Sequence, residues 1–212
     1  MNYNRIMEKL DYKTIAKNVV TEQEIIKSKF ITYLAPIATE EAGKLFLKSI
    51  KKEHPKASHH CSAFIVGDIE RSNDDGEPAS SAGLPMLQVL RGNKMQGVIA
   101  VVVRYFGGTE LGVGGLIRAY GSSVTQAIQA AEILYPQRVF TYAVTFPYEF
   151  INDVEVLVAD IGEVIDRHYD ALVRYDIRVT NPESLEPLND ICRGQAVSEC
   201  IKDDIELIKE VS

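Results

Sequence analysis

Between residues 140 and 146 the chain reads FTYAVTF, and Phe140, Tyr142, Val144 and Phe146 fall on one side of an extended backbone. The rhythm then changes. Phe150, Val154, Leu157, Val158 and Ile161 follow helical spacing, a short extended stretch is predicted near Glu163–His168, and ALVRYDIRVT (171–180) alternates again. In that last stretch Ala171, Val173, Tyr175, Ile177 and Val179 share a face, and Tyr169-Asp170 leaves room for a turn before it. Pro182 opens a second helix carrying Leu185, Leu188, Ile191 and Cys192, and a last strand lies within Glu199–Ile208. The order is β-α-β-β-α-β, a ferredoxin-like split motif.

The first 137 residues have a different pattern. Strands are predicted near Thr14–Val20 and Glu24–Ala35. A helix opens at Thr39 with two glutamates and closes among Lys48, Lys51 and Lys52, a charge order that suits the helix dipole. HCSAFIVG (60–67) reads as a strand. VIAVVVR (98–104) is apolar on both faces and predicts a central strand covered on each side. The segment GDIERSNDDGEP reads as a polar loop with a turn at Asp75-Gly76, and a helix is expected to begin near Ser81–Pro85. After Gly115, the residues Leu116, Tyr120, Val124, Ala127, Ile128 and Ala131 form one helical stripe, which Pro136 is expected to end. The fold class is therefore α+β, with two domains, 1–137 and 138–212.

The charge distribution supports this division. The net charge of −7 splits into +2 for residues 1–137 and −9 for the remainder. The acidic part argues against wrapping a phosphate backbone with the whole surface, while the first part can offer a local basic patch. Three cysteines without a CxxC pair fit a reducing compartment. The longest strongly apolar run, Val98–Val103, is too short to cross a membrane, and MNYNRIMEKLDYK lacks the apolar core of a secretion signal. A cytoplasmic protein with no membrane partner is expected.

FGGTELGVGGLIRAYG (106–121) holds six of the 14 glycines, placed between a buried strand and a helix N-terminus. Backbone N–H groups and the dipole favour an anion there. Arg118 is read as a first-turn cation, an unfavourable sign that calls for a negative partner, and Arg104 ends the preceding strand. Two readings follow. In one, an external phosphate or acidic ligand meets Arg104, Tyr105, Gly107, Gly108, Thr109, Gly112, Gly114, Gly115 and Arg118, with Lys27 and Lys29 extending the patch. In the other, Asp74, Asp75 and Glu77 neutralise the arginines internally. The stretch matches neither the P-loop, the dinucleotide fingerprint nor the hydrolase elbow.

Other clusters are weaker. DDGEP offers three carboxylates to a divalent cation, but a turn with a solvated acidic rim is the simpler reading. His59 and Cys61 share a strand face, yet a closed zinc site needs four ligands and no second cluster exists. A Cys61–His59 nucleophilic pair is the remaining alternative. No metal or cofactor is expected.

KSKF (27–30), HHC (59–61), DDGEP (74–78), AGLPML (82–87) and VVVRYFGGTELGVGGLIRAYG (101–121) together resemble the IMPACT family, in particular its bacterial YigZ-type branch. The resemblance implies an N-terminal domain like the second domain of a small-subunit ribosomal protein. It also implies a C-terminal domain like the last domain of elongation factor G. Eukaryotic members regulate translation by blocking, through a partner protein, the activation of a starvation-responsive kinase. The implied function is non-enzymatic binding of RNA, the ribosome or a translation-associated protein. The N-terminal fold type is shared with small-molecule kinases of the galactokinase kind, so the alternative is a nucleotide-dependent enzyme using the glycine-rich loop. The chain departs from the family at ASSAG (79–83), where SGTAG or AGTAG is typical, and at Glu110, where lysine is common.

Overall fold

The computed structural model describes residues 10–209. The segment 1–9, part of the stretch read above for a secretion signal, lies outside the described residues, as does 210–212. The chain divides into two units, one reaching to Tyr135 and including Lys209, the other Pro136–Ile208. Both combine helices with antiparallel sheet, so the fold class is α+β.

In the first unit, β1 (Thr14–Ile15) is a short piece beside the main sheet. That sheet contains β2 (Val19–Ile25), β3 (Ser28–Pro36), β4 (His59–Val66), β5 (Ile69–Asn73) and β6 (Val98–Tyr105), in the order β2-β3-β6-β4-β5. The run VIAVVVR is buried throughout because β6 sits at the centre, between β3 and β4. Alternation along β6 sends Val98, Ala100 and Val102 into one core and Ile99, Val101 and Val103 into another. The second core is covered by α1 (Glu40–Glu53), whose Thr39 Oγ1 accepts the Ala42 N–H at 3.1 Å and whose last turn is basic. The first is covered by α2 (Gly83–Gly92) and α3 (Gly112–Ala130), with Leu90, Tyr120 and Val124 fully buried.

Four sequence expectations change. The strand expected at Glu24–Ala35 is two strands, joined at Ile26 and Lys27, which both have positive φ (48° and 62°) without being Gly or Asn. The polar segment after β4 contains β5, hairpin-paired to it through Gly67-Asp68. The helix α3 begins at Gly112, so Arg118 lies in its second turn, where the dipole argument loses its force. It ends at Ala130, well before Pro136, which instead lies inside β7 (Ile133–Phe146).

The start of β7 pairs with β1, Ile133 opposite Ile15. The second unit continues with α4 (Ile151–Ile161), β8 (Gly162–Tyr169), β9 (Val173–Val179), α5 (Pro187–Ile191) and β10 (Val197–Lys209). The sheet order β10-β7-β9-β8 and the element order are those of the ferredoxin-like motif read from the periodicity. Val173, Tyr175, Ile177 and Val179 all face its core, with Val144, Phe146, Val154 and Val158.

Candidate functional site

At one end of the first sheet, Phe30, Arg104 and His59 are register partners across β3, β6 and β4, so their side chains share the face that carries α2 and α3. Arg104 is 5% exposed. Its Nη1 donates to Glu77 Oε1 at 2.7 Å and its Nη2 to Ser28 Oγ at 3.3 Å. The guanidinium carbon lies 5.5 Å from the Phe30 ring centroid and 5.6 Å from that of Phe106, so the cation is sandwiched between two aromatic rings. Tyr120 donates to the same Glu77 oxygen at 2.7 Å. Burial, followed by the neighbouring Cys61 and Glu77, raises the Tyr120 phenol far above its ordinary pKa, which keeps it a proton donor.

The three acidic residues of DDGEP therefore do not form one cluster. Asp74 closes the loop and caps α2 from a distance: Oδ1 accepts the N–H groups of Ala82 (3.1 Å) and Gly83 (2.8 Å), and Oδ2 that of Ser80 (2.8 Å). Asp75 accepts from Lys51 Nζ and from the His60 N–H, each at 2.7 Å. Burial works to raise its carboxyl, but these two donors hold it below the usual carboxylate range. Only Glu77 meets an arginine, and that arginine is Arg104. Among the described residues no group of three or more His, Cys, Asp and Glu side chains is arranged to hold a metal ion.

His59 Nδ1 lies 3.0 Å from the Asp75 carbonyl, which can only accept, so that nitrogen carries a proton. Its Nε2 is 3.8 Å from Glu77 Oε2 and turns to a cleft of about 440 Å³. Glu77, Arg104, Phe106, Glu110, Gly112 and Val113 also line this cleft. Cys61, two residues on, faces the core instead: it is fully buried, its thiol donates to the Asp74 carbonyl at 3.0 Å, and burial pushes its pKa up to about 12. A Cys61–His59 nucleophilic pair is thereby excluded, because the thiolate is the reactive form.

The glycine stretch shapes the cleft's other wall. Gly107 lies so close to the β2–β3 turn that a Cβ there would fall 2.1 Å from the carbonyl carbon and oxygen of Lys27. Gly112 has φ +67° and opens α3, whose N-terminus has no side-chain cap and no acidic residue in its first turn. Gly108, Thr109, Glu110 and Gly114 are exposed, and Gly115 is half-buried against Leu111. Arg118 and Lys27 are exposed, and their side chains make no ion pair or hydrogen bond among the described residues.

Two expected members of the patch lie elsewhere. Tyr105 and Lys29 follow the alternate parity and belong to the α1 side of the sheet. Tyr105 bonds His54 Nδ1 at 2.9 Å, and Lys29 pairs with Glu22 at 2.7 Å. The residues that the sequence reading overlooked here are Ser28, Phe106 and Tyr120. For Tyr120 the signal was a hydroxyl inside an apolar stripe, which needs a buried partner. Phe106, half-exposed beside a glycine pair, left no comparable mark.

A three-layer α+β unit holding a buried Arg–Glu–Tyr network beneath a glycine-walled cleft, followed by a ferredoxin-like unit, defines the class of protein. The model of the Impact N-terminal domain matches residues 26–128. The chain is 40% identical over 190 residues to the IMPACT family member YigZ of Escherichia coli, covering 84% of this chain and 92% of that protein. It is 37% identical over 169 residues to the IMPACT family member YvyE of Bacillus subtilis, covering 77% and 78%. A crystal structure described as that of a hypothetical protein, 35% identical, superposes with a TM-score of 0.56 over 90% of this chain and 97% of the other. The chain belongs to the IMPACT family. Among the described residues no helix is long and apolar enough to cross a membrane.

Proposed function

We propose that this is a non-enzymatic binding protein of the cytoplasm that contacts RNA, free or within the ribosome, and acts as a regulator of translation. One observation carries the reading: the first turn of α3 opens on a cleft with no side-chain cap and no acid of its own, the Arg118 guanidinium lies against Gly114 in that turn, and no carboxylate neutralises Arg118 or Lys27, whose backbone Gly107 abuts. Free N–H groups and unpaired cations together suit a phosphate backbone. Arg104 contributes differently. It is neutralised by Glu77 and holds the wall of the cleft in place. Glu110 on the rim limits the positive charge, in keeping with a modest, salt-sensitive association.

The test is the salt dependence of binding to a labelled single-stranded RNA and to ribosomes. The parent should bind more weakly as salt rises, and each lost phosphate contact should flatten the logarithmic slope by about 0.7. Lys27→Glu with Arg118→Glu should weaken binding about tenfold or more and flatten the slope. Equal binding by parent and variant at every salt concentration overturns the proposal.

A second reading is favoured by His59, whose Nε2 faces the cleft beside Glu77 as a base would. In that reading the glycine-rich loop holds a nucleotide and the protein is a small-molecule enzyme. Thermal denaturation with ATP and magnesium separates the two. A nucleotide at a hundred times its Kd stabilises by about 2.7 kcal/mol, and no shift ends the enzymatic reading.

A further inference from the structure

We infer that the cleft receives one unstacked base of a single-stranded RNA, laid against the open face of Phe106; this deepens the RNA reading and rests on it. Phe106 is 50% exposed and lines the cleft. A half-exposed aromatic ring in a loop is usually free to turn away. This one is fixed twice: its N–H donates to Ser58 Oγ at 3.1 Å, and its ring rests on the Arg104 guanidinium, itself tied to Glu77 and Ser28. A flat ring with one face supported and the other turned to a cleft is a stacking platform, and every base has a π-face to offer it.

The charges decide which end of a nucleotide enters. A phosphate inside would meet the carboxylates of Glu77 and Glu110, only the first of which has an arginine partner. A base edge brings N–H donors instead. His59 Nδ1 donates to Asp75, and Glu77 Oε2 lies 3.8 Å from His59 Nε2, so the Glu77 carboxylate stands beside that ring edge as an acceptor that an amino group can meet. The base therefore points inward and its phosphates stay at the mouth, by the first turn of α3 and the Arg118 guanidinium that lies against Gly114 in that turn. A duplex cannot be accommodated this way, because its bases remain stacked on one another. The cleft, at about 440 Å³, lies in the ~300–1,000 Å³ range of sites that enclose small ligands.

The probe is a single-stranded RNA carrying one 2-aminopurine, whose fluorescence falls on stacking. The chain has no tryptophan, so the signal is free of that background. The parent should quench the probe. Phe106→Ala should lose about 5- to 150-fold in affinity, the range of one base–aromatic stack. Phe106→Trp should retain affinity, and its single indole should itself be quenched by unlabelled RNA. Unlabelled single strands should compete and duplex RNA of the same sequence should not. Undiminished binding by a folded Phe106→Ala, binding without quenching, or competition by duplex equal to that by single strands overturns the inference while leaving the RNA reading intact. If the parent binds no RNA at low salt, the RNA reading falls and this inference with it.

Discussion

Arg104 and Tyr120 donate to the same oxygen of Glu77, each from 2.7 Å, although they come from a central strand and the helix packed over it. The arginine and glutamate side chains are only 6% and 3% exposed. The network thus ties sheet, loop and helix together where water cannot compensate a missing partner.

Removing one member should therefore cost far more than a surface ion pair would. Glu77→Gln is expected to lower stability by about 3–5 kcal/mol, because it strands a buried cation. Tyr120→Phe should cost about 1.5–3 kcal/mol, the range for a hydrogen bond to a charged group. Urea unfolding of the two single variants and of Arg104→Met with Glu77→Leu checks this. The double variant should lose clearly less than the sum of Arg104→Met and Glu77→Leu measured separately.

Asp74 and Asp75 are adjacent, yet their substitutions should differ. Asp74→Ala removes the acceptor for three backbone N–H groups and should cost about 1–3 kcal/mol. Asp75→Asn tolerates the positive φ at that position and loses mainly the half-exposed Lys51 pair, so about 1 kcal/mol or less is expected. Since the folded Asp75 carboxyl sits below its ordinary value, its contribution is present at neutral pH and is lost as pH falls through that lowered value. Denaturation midpoints of parent and Asp75→Asn should converge in acid.

The thiols should separate by accessibility. Cys200 is exposed, while Cys61 and Cys192 are buried. At pH 8 an alkylating reagent should label Cys200 rapidly and Cys61 only on unfolding, as read by mass spectrometry of peptides. The raised Cys61 pKa also has a stability consequence. Its contribution is complete below about 9, the unperturbed value, and is lost as pH rises toward 12. Cys61→Ala should be less sensitive than the parent to alkali across that window.

The Ile26-Lys27 turn is built from residues poorly suited to it. Both have positive φ, which a β-branched side chain resists. Replacing the pair by Asn-Gly should raise stability by about 1–2 kcal/mol. The same change removes Lys27, so RNA affinity should fall as the melting temperature rises. A parallel rise in both would separate Lys27 from the site.

That turn also illustrates where the sequence reading stops. Ile, Lys and Ser around position 27 carry no turn signature, so the end of β2 and nearly all of β3 read as one strand, Glu24–Ala35. The VIAVVVR strand was legible because burial on both faces leaves a continuous apolar run. The ferredoxin-like order was legible because Val173, Tyr175, Ile177 and Val179 alternate without interruption. Arg104 and Glu77 could be named as candidates from their charges, but not paired. The pairing depends on a loop that returns Glu77 over the sheet edge, held by Asp74, and contacts so distant in sequence leave no periodic trace. Arg118 reads as a first-turn residue because Gly112 and Gly114 are poor helix formers, yet the helix starts at Gly112 and runs through Gly114.

The Phe30–Arg104–Phe106 stack reaches from the fully buried core to the half-exposed mouth of the cleft. The outer ring therefore takes its position from the sheet rather than from the loop that carries it. A ligand meeting such a wall has little disorder to remove. Association should then proceed without a slow closing step, and differences in affinity among ligands should appear chiefly in how long each one stays.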